Sequence, residues 1–318
     1  MLNDKTIGKY FNLLLLHVSE RDVNKRSWVV VIPNKKFIRK FKDLLKDGKI
    51  NENYSRYLSH KNKFPLVVLK EIIDKQNPRE QKELYLFFMK NVLGFSSNSS
   101  KKIVKIPLIV TPDLLYLMGV LIGDGCVPNS RSTKGSKIYR LSIEKGNEYF
   151  IKEVWDKMFF RFFNVKGVIS KRDRDNKPNP TWEWTTASKP IVTFFDIFFE
   201  ISRGSKSHKI RIPELIRKMS PPERLPFIIG LMDTDWGHHG GTFGTGVSSK
   251  ELRDDTVKTL KELNFSLNQY EGILNNKFPA YYARFNKQEL KRFWNFINEE
   301  YMLKNPKRIN FIKSLINK

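Results

Sequence analysis

Leu117-Met118-Gly119-Val120-Leu121-Ile122-Gly123-Asp124-Gly125 and Ile228-Ile229-Gly230-Leu231-Met232-Asp233-Thr234-Asp235-Trp236 are two apolar stretches, each ending on an aspartate and one further residue. Gly119 and Gly123, like Gly230 and Thr234, are four apart, so on a helix these small residues share one face and let a second helix approach closely. Such a crossing brings Asp124 and Asp235 together at the feet of the two helices. Like charges in that arrangement are costly unless a cation neutralises them, which asks for a divalent metal with oxygen ligands, Mg²⁺ or Mn²⁺, at Asp124 and Asp235.

The two aspartates are roughly 110 residues apart, too long for a solenoid period and suited to duplicated half-domains. In the first copy Lys137–Ile143 alternates, with Tyr139, Leu141 and Ile143 on one face, and Thr181–Thr186 repeats the pattern with Trp182 and Trp184 opposite Glu183 and Thr185. In the second, Gly240–Ser249, Leu267–Tyr270 and Tyr281–Phe285 take the corresponding parts around an Asn275-Asn276 turn, and helical spacing returns at Leu252–Leu263 and Leu290–Tyr301. The chain therefore reads as α+β, with pseudo-symmetric αββαββα half-domains at 106–218 and 219–318. Their antiparallel sheets carry helices on one side and leave the other to a ligand.

A Ser/Asn-rich break at 94–107 sets off residues 1–105, where apolar residues recur at helical spacing in Phe37, Phe41, Leu44 and Leu45, and again in Leu66, Leu69, Ile72 and Ile73. A mostly helical accessory domain is expected there. Residues 53–74 faintly resemble a repressor-like helix-turn-helix, with Tyr54, Ser55, Arg56 and His60 on or beside the recognition helix. An accessory clamp is the equal alternative.

Lys and Arg number 58 against 33 Asp and Glu, a net charge of +25 that points to a polyphosphate partner. The single cysteine, Cys126, excludes an intramolecular disulfide framework, and with five histidines it excludes the standard Cys-rich zinc modules. No apolar run reaches membrane-spanning length and no signal-peptide cleavage pattern opens the chain, so a cytoplasmic protein without a membrane partner is expected.

Both stretches resemble the LAGLIDADG motif, and residues 106–318 resemble the single-chain, two-motif LAGLIDADG homing endonucleases of archaeal-intron type. The resemblance implies two sheets set as a saddle over double-stranded DNA, and site-specific hydrolysis of both strands by a monomer. Asp124 and Asp235 become the metal ligands, each serving one strand, and a catalytic lysine is implied beside each centre, at Lys145 and Lys250. The sequence departs from the consensus at Ile122 and at Trp236, where a shift of the turn by one residue is expected. Asp233 is expected to be a helix-terminal polar group rather than a second ligand. His238 and His239 are adjacent on a strand, so they point to opposite faces and do not share an ion.

Candidate groove and phosphate contacts are Arg131, Lys134, Lys137 and Arg140, then Lys171, Arg172 and Arg174, with Glu183 and Thr185 on the polar face of the neighbouring strand. Asn268, Gln269 and Arg284 are their second-half counterparts. An opening Met1 and a closing Ile-Asn-Lys suit a freestanding intron-encoded enzyme better than a splicing element. Two alternatives use the same fold: an RNA maturase acting on intron RNA, and a transcription regulator. Both predict loss of at least one aspartate, and both aspartates are present.

Overall fold

The computed structural model describes residues 11–13, 15–16, 29–59, 63–98, 100–128, 138–173, 180–201, 204, 209–239, 241–274 and 278–317. The amino-terminal unit runs Val29–Pro33 (β1), Lys35–Lys46 (α1), Arg56–Ser59 (α2), Phe64–Pro65 (β2), Leu66–Asp74 (α3), Pro78–Lys90 (α4) and Val92–Ser97 (β3). The Asn34 side chain accepts a hydrogen bond from Phe37 N to start α1, and Asn77 does the same for Glu80 N ahead of Pro78 at the head of α4. Helices prevail, but they pack on a three-stranded antiparallel sheet ordered β2-β1-β3 that helical periodicity alone did not reveal. Phe37, Phe41, Phe64 and Phe88 form its aromatic core.

One expectation changes here. The supposed loop from residue 94 is strand to Ser97, since Val31 pairs with Phe95 and Phe95 bridges to Val104. Within the segment compared with a helix-turn-helix, residues 60–62 lie outside the described residues. The helix carrying Arg56 has four described residues, and the chain enters α3 from Phe64–Pro65, which pair with Val31 and Val30 in the sheet. Tyr54 hydrogen-bonds Glu71 at 3.0 Å, while His60 lies outside the described residues.

The duplication is laid out as the αββαββα reading requires. The first copy is Pro112–Asp124 (α5), Gly125–Cys126 (β4), Arg140–Lys145 (β5), a π-helical turn at Phe150–Asp156 leading into Lys157–Phe163 (α6), Val168–Arg172 (β6), Thr181–Ala187 (β7) and Lys189–Phe199 (α7). A short linking helix, Glu214–Arg217 (α8), precedes the second copy. That copy is Pro221–Asp235 (α9), Trp236–His239 (β8), Thr242–Val247 (β9), Lys250–Glu262 (α10), Asn268–Leu274 (β10), Phe278–Arg284 (β11) and Lys287–Glu300 (α11), followed by a final helix, Pro306–Ile316 (α12). The sheets are antiparallel with matching orders, β4-β5-β7-β6 and β8-β9-β11-β10. The Asn275-Asn276 turn lies outside the described residues.

Each sheet buries one face under its helices. In the first, Leu141, Ile143 and Trp184 meet Trp155, Phe159, Phe163 and Phe195. In the second, Trp236 packs at a tilt against Phe243 and Phe285. Phe11 ties the amino-terminal unit to this body. Its ring packs among Phe194, Phe198 and Phe199, its N–H donates to Leu108 O at 2.9 Å, and Lys105 N reaches Phe163 O at 2.9 Å.

The central contact is between α5 and α9, the most extensive between any two described elements. A methyl group on Gly119 would collide with the carbonyl oxygen of Phe227, and one on Gly230 with that of Tyr116. At Gly123 it would strike the Thr234 hydroxyl and stand 3.3 Å from Asp235 Cγ. Absence of a side chain at these positions is what lets the two backbones touch.

Candidate active site

Both motif helices end on their aspartates, and a strand begins with the next residue in each copy. Gly125 has φ −75° and ψ 155°, and Trp236 has −93° and 146°, an extended conformation open to any residue. Register repeats as well: Gly125 pairs with Ile143, and Trp236 with Thr245. The turn shift expected from Trp236 therefore does not occur. The indole enters the second core, and Asp235 keeps the place that Asp124 has in the first copy.

Around this foot the structure brings together five charged groups. Lys145 forms an ion pair with Asp124 and donates to Thr234 O at 2.9 Å, the carbonyl just before Asp235. The Asp124 oxygen in that ion pair, Oδ2, is itself buried. Arg308, from α12, donates to the same Thr234 carbonyl at 3.0 Å. Burial pulls the Arg308 guanidinium below its ordinary pKa, while Asp124, Asp233 and Asp235 pull it back up. Asp233 is fully buried, and its Oδ2 accepts from Tyr116 Oη and Lys304 N, each at 2.7 Å. Desolvation lifts its pKa to about 6, and these hydrogen bonds limit the rise. It clasps the carboxy-terminal segment to the helix pair, with Asn305 Nδ2 donating to its carbonyl at 2.9 Å.

Lys250 is placed elsewhere. It opens α10, is exposed, and pairs with Glu271 at 3.2 Å. The matching registers make Val247 the counterpart of Lys145, because Ile143 corresponds to Thr245 two residues earlier in each strand. The second cation at the foot is Arg308, from a helix beyond the repeated unit. Nothing in the repeat marks it, and a lone arginine in a basic carboxy terminus carries no sequence signal.

Strand parity sorts the groove candidates. Arg140, Glu183, Thr185 and Arg172 share the open face of the first sheet, where Glu183 lies between the two guanidinium groups, 3.6 Å from Arg140 and 2.9 Å from Arg172 Nε. Lys171 is on the helix side, beside Trp182 in register, and pairs with Asp173 at 3.2 Å. In the second sheet Asn268 and Arg284 are opposite one another on the open face. Arg284 covers the Tyr270 ring, which stacks on Tyr282 at 4.7 Å. Gln269 turns the other way and lines a groove with Asp254, Lys258 and Lys261 of α10. His239 meets Tyr282 and His238 meets Phe311, on opposite sides of the strand. Arg131, Lys134, Lys137 and Arg174 lie outside the described residues.

Among the described residues no three His, Cys, Asp or Glu side chains gather to hold a metal. Two aspartate carboxylates at one helix foot still suit a hard cation. Mg²⁺ ordinarily takes one or two carboxylates and fills its shell with substrate phosphate and water. No described helix is long and apolar enough to cross a membrane.

No protein-family model matches the chain. Curated proteins similar to it include the ribonucleoside-diphosphate reductase NrdEB subunit alpha of Bacillus subtilis, 24% identical over 179 residues, which are 52% of this chain. Another is the glutamine–fructose-6-phosphate aminotransferase of Methanocaldococcus jannaschii, 25% identical over 194 residues, 58% of this chain. The match spans 15% of the length of each. Among solved structures it is similar to the homing endonuclease I-DmoI in complex with DNA and Ca, at 18% identity and TM-score 0.47, covering 63% of this chain and 96% of that one. It is also similar to the I-LtrWI LAGLIDADG homing endonuclease bound to target DNA, at 11% identity and TM-score 0.41, covering 65% and 90%.

Proposed function

We propose that this protein is a divalent-metal-dependent endonuclease that cuts both strands of double-stranded DNA at a specific site. The observation that carries the reading is the meeting of Asp124 and Asp235 at the foot of a backbone-tight helix pair, between two sheets that present arginines on their open faces. Hydrolysis needs a water aimed in line at phosphorus, a new P–O bond, departure of the 3′ oxygen with its electron pair, and a proton for that oxygen. Mg²⁺ or Mn²⁺ held by Asp124 and Asp235 would supply charge for the attacking and leaving oxygens.

The chain's own groups set the geometry. Asp124 and Asp235 are fixed by helices that cannot slide, because their glycine faces interlock. Lys145 offsets the charge of Asp124 and orders the neighbouring carbonyl. Arg140, Arg172 and Arg284 would neutralise phosphates or read guanine edges, and Asn268 would read adenine. The test is incubation with Mg²⁺ and a plasmid library carrying randomised sites, using the wild type, Asp124→Asn and Asp235→Asn. Double-strand cutting by the wild type and its loss in both variants is expected. Specific binding without cutting, or unchanged cutting in either variant, refutes the reading.

A further inference from the structure

The two halves supply unequal cations to one shared centre. Lys145 stands on the first sheet and pairs with Asp124. Its counterpart in the second sheet is Val247, which carries no charge. Arg308 approaches from α12 instead. Its guanidinium donates to Thr234 O at 3.0 Å, would stand 2.9 Å from a side chain placed on Gly237, and interacts with Asp124, Asp233 and Asp235. Residues Lys304 and Asn305 hold the segment leading into α12 against Asp233, so the helix is anchored where it delivers this side chain. His238 packs on Phe311 one turn further along the same helix.

We propose that Arg308 is the positioning residue of the second centre, standing in for the cation that Val247 lacks. This rests on reading the aspartate pair as a nuclease centre. Thr234 immediately precedes Asp235 in the chain, so a guanidinium held on its carbonyl, with Gly237 close by, orders the turn that aims the Asp235 carboxylate. Arginine stays protonated at working pH and holds a fixed fork of donors, whereas lysine is a mobile point charge that can give up its proton. The two strands would therefore be cut in chemically unequal surroundings: the first beside a lysine, the second beside an arginine that orients and offsets charge without taking a proton.

The experiment is strand-resolved cleavage of a duplex carrying a site recovered with the wild type, each strand separately labelled, with Mg²⁺ saturating. Arg308→Met is expected to slow one strand by about 10²-fold, the scale for removing one preorganised charged donor, and to leave the other strand faster by at least tenfold. Lys145→Met should show the reverse bias. Adding Val247→Lys to Arg308→Met is expected to restore the slow strand. Thermal melting checks folding, and if Arg308→Met does not fold, Arg308→Lys is read for the same bias at smaller size. Equal slowing of both strands, no slowing, or a Val247→Lys double variant no faster than its parent overturns the inference while leaving the nuclease reading in place. A wild type that cuts neither strand overturns both.

Discussion

Replacing Gly119 by alanine sets two effects against each other. In an exposed helix interior the change would stabilise by about 1 kcal/mol, because alanine loses less conformational freedom on folding. Here the added methyl falls on the carbonyl oxygen of Phe227 and 2.8 Å from the amide of Leu231, both backbone atoms of α9 that cannot swing aside. The helices would have to part by about 1.5 Å to recover ordinary contact distances of about 3.5 Å. Overpacking of this kind costs about 1–3 kcal/mol, so the net change is a loss of up to about 2 kcal/mol. A chain of this size should then melt several degrees lower, since each kcal/mol moves the midpoint by about 2–4 °C. Activity should suffer more. A misplacement of about 1 Å at a reacting centre can cost about 10²-fold in rate, and the two carboxylates sit at the end of this contact. Gly230→Ala, which meets the Tyr116 carbonyl, should behave alike, whereas Gly146→Ala meets nothing within 4 Å and serves as the control. Melting and cleavage rate are read on all three proteins. A Gly119→Ala protein as stable and as active as the control would refute the interlocked helix pair.

Tyr85 gives a pH prediction. Its hydroxyl donates to Phe11 O and accepts from Leu13 N at 3.0 Å, and burial pushes its pKa up to about 12 against the ordinary value near 10. A group raised in the folded state contributes stability that is whole below pH 10 and is lost as the pH climbs to 12, because the unfolded chain gives up its proton first. Urea unfolding at pH 8 and pH 11 should show a decline of at most about 1 kcal/mol attributable to this group after allowance for solvent screening. Tyr85→Phe should lack that decline, and an identical decline in both proteins would refute the assignment. On the open sheet face, Arg140→Ala should reduce the slope of log affinity against log salt by about one, as for a lost phosphate contact. Lys250→Ala, at a residue held away by Glu271, should leave both slope and cleavage rate as in the wild type, and a fall in rate would return Lys250 to the centre.

The sequence by itself determined the duplicated αββαββα layout and the crossing of glycine-faced helices. These depend on local facts: residues four apart share a helical face, and residues two apart share a strand face. It also separated His238 from His239, which adjacency on a strand requires. Only the tertiary structure decided which face of the strands Val168–Arg172 and Asn268–Leu274 is open, because that follows from pairing between distant segments. One position of register moves every side chain across the sheet. For this reason Arg172 and Asn268 stand on the open side while their neighbours Lys171 and Gln269 do not, and Val247 rather than Lys250 is the counterpart of Lys145. The amino-terminal sheet went unread for a related reason. The pairing of Val31 with Phe95 closes a long loop, and short strands such as Phe64–Pro65 carry too few residues to show a period. Arg308 lay furthest beyond sequence reasoning: its role comes from where α12 docks, and docking is set by the buried Asp233 clasp rather than by any pattern in the residues around it.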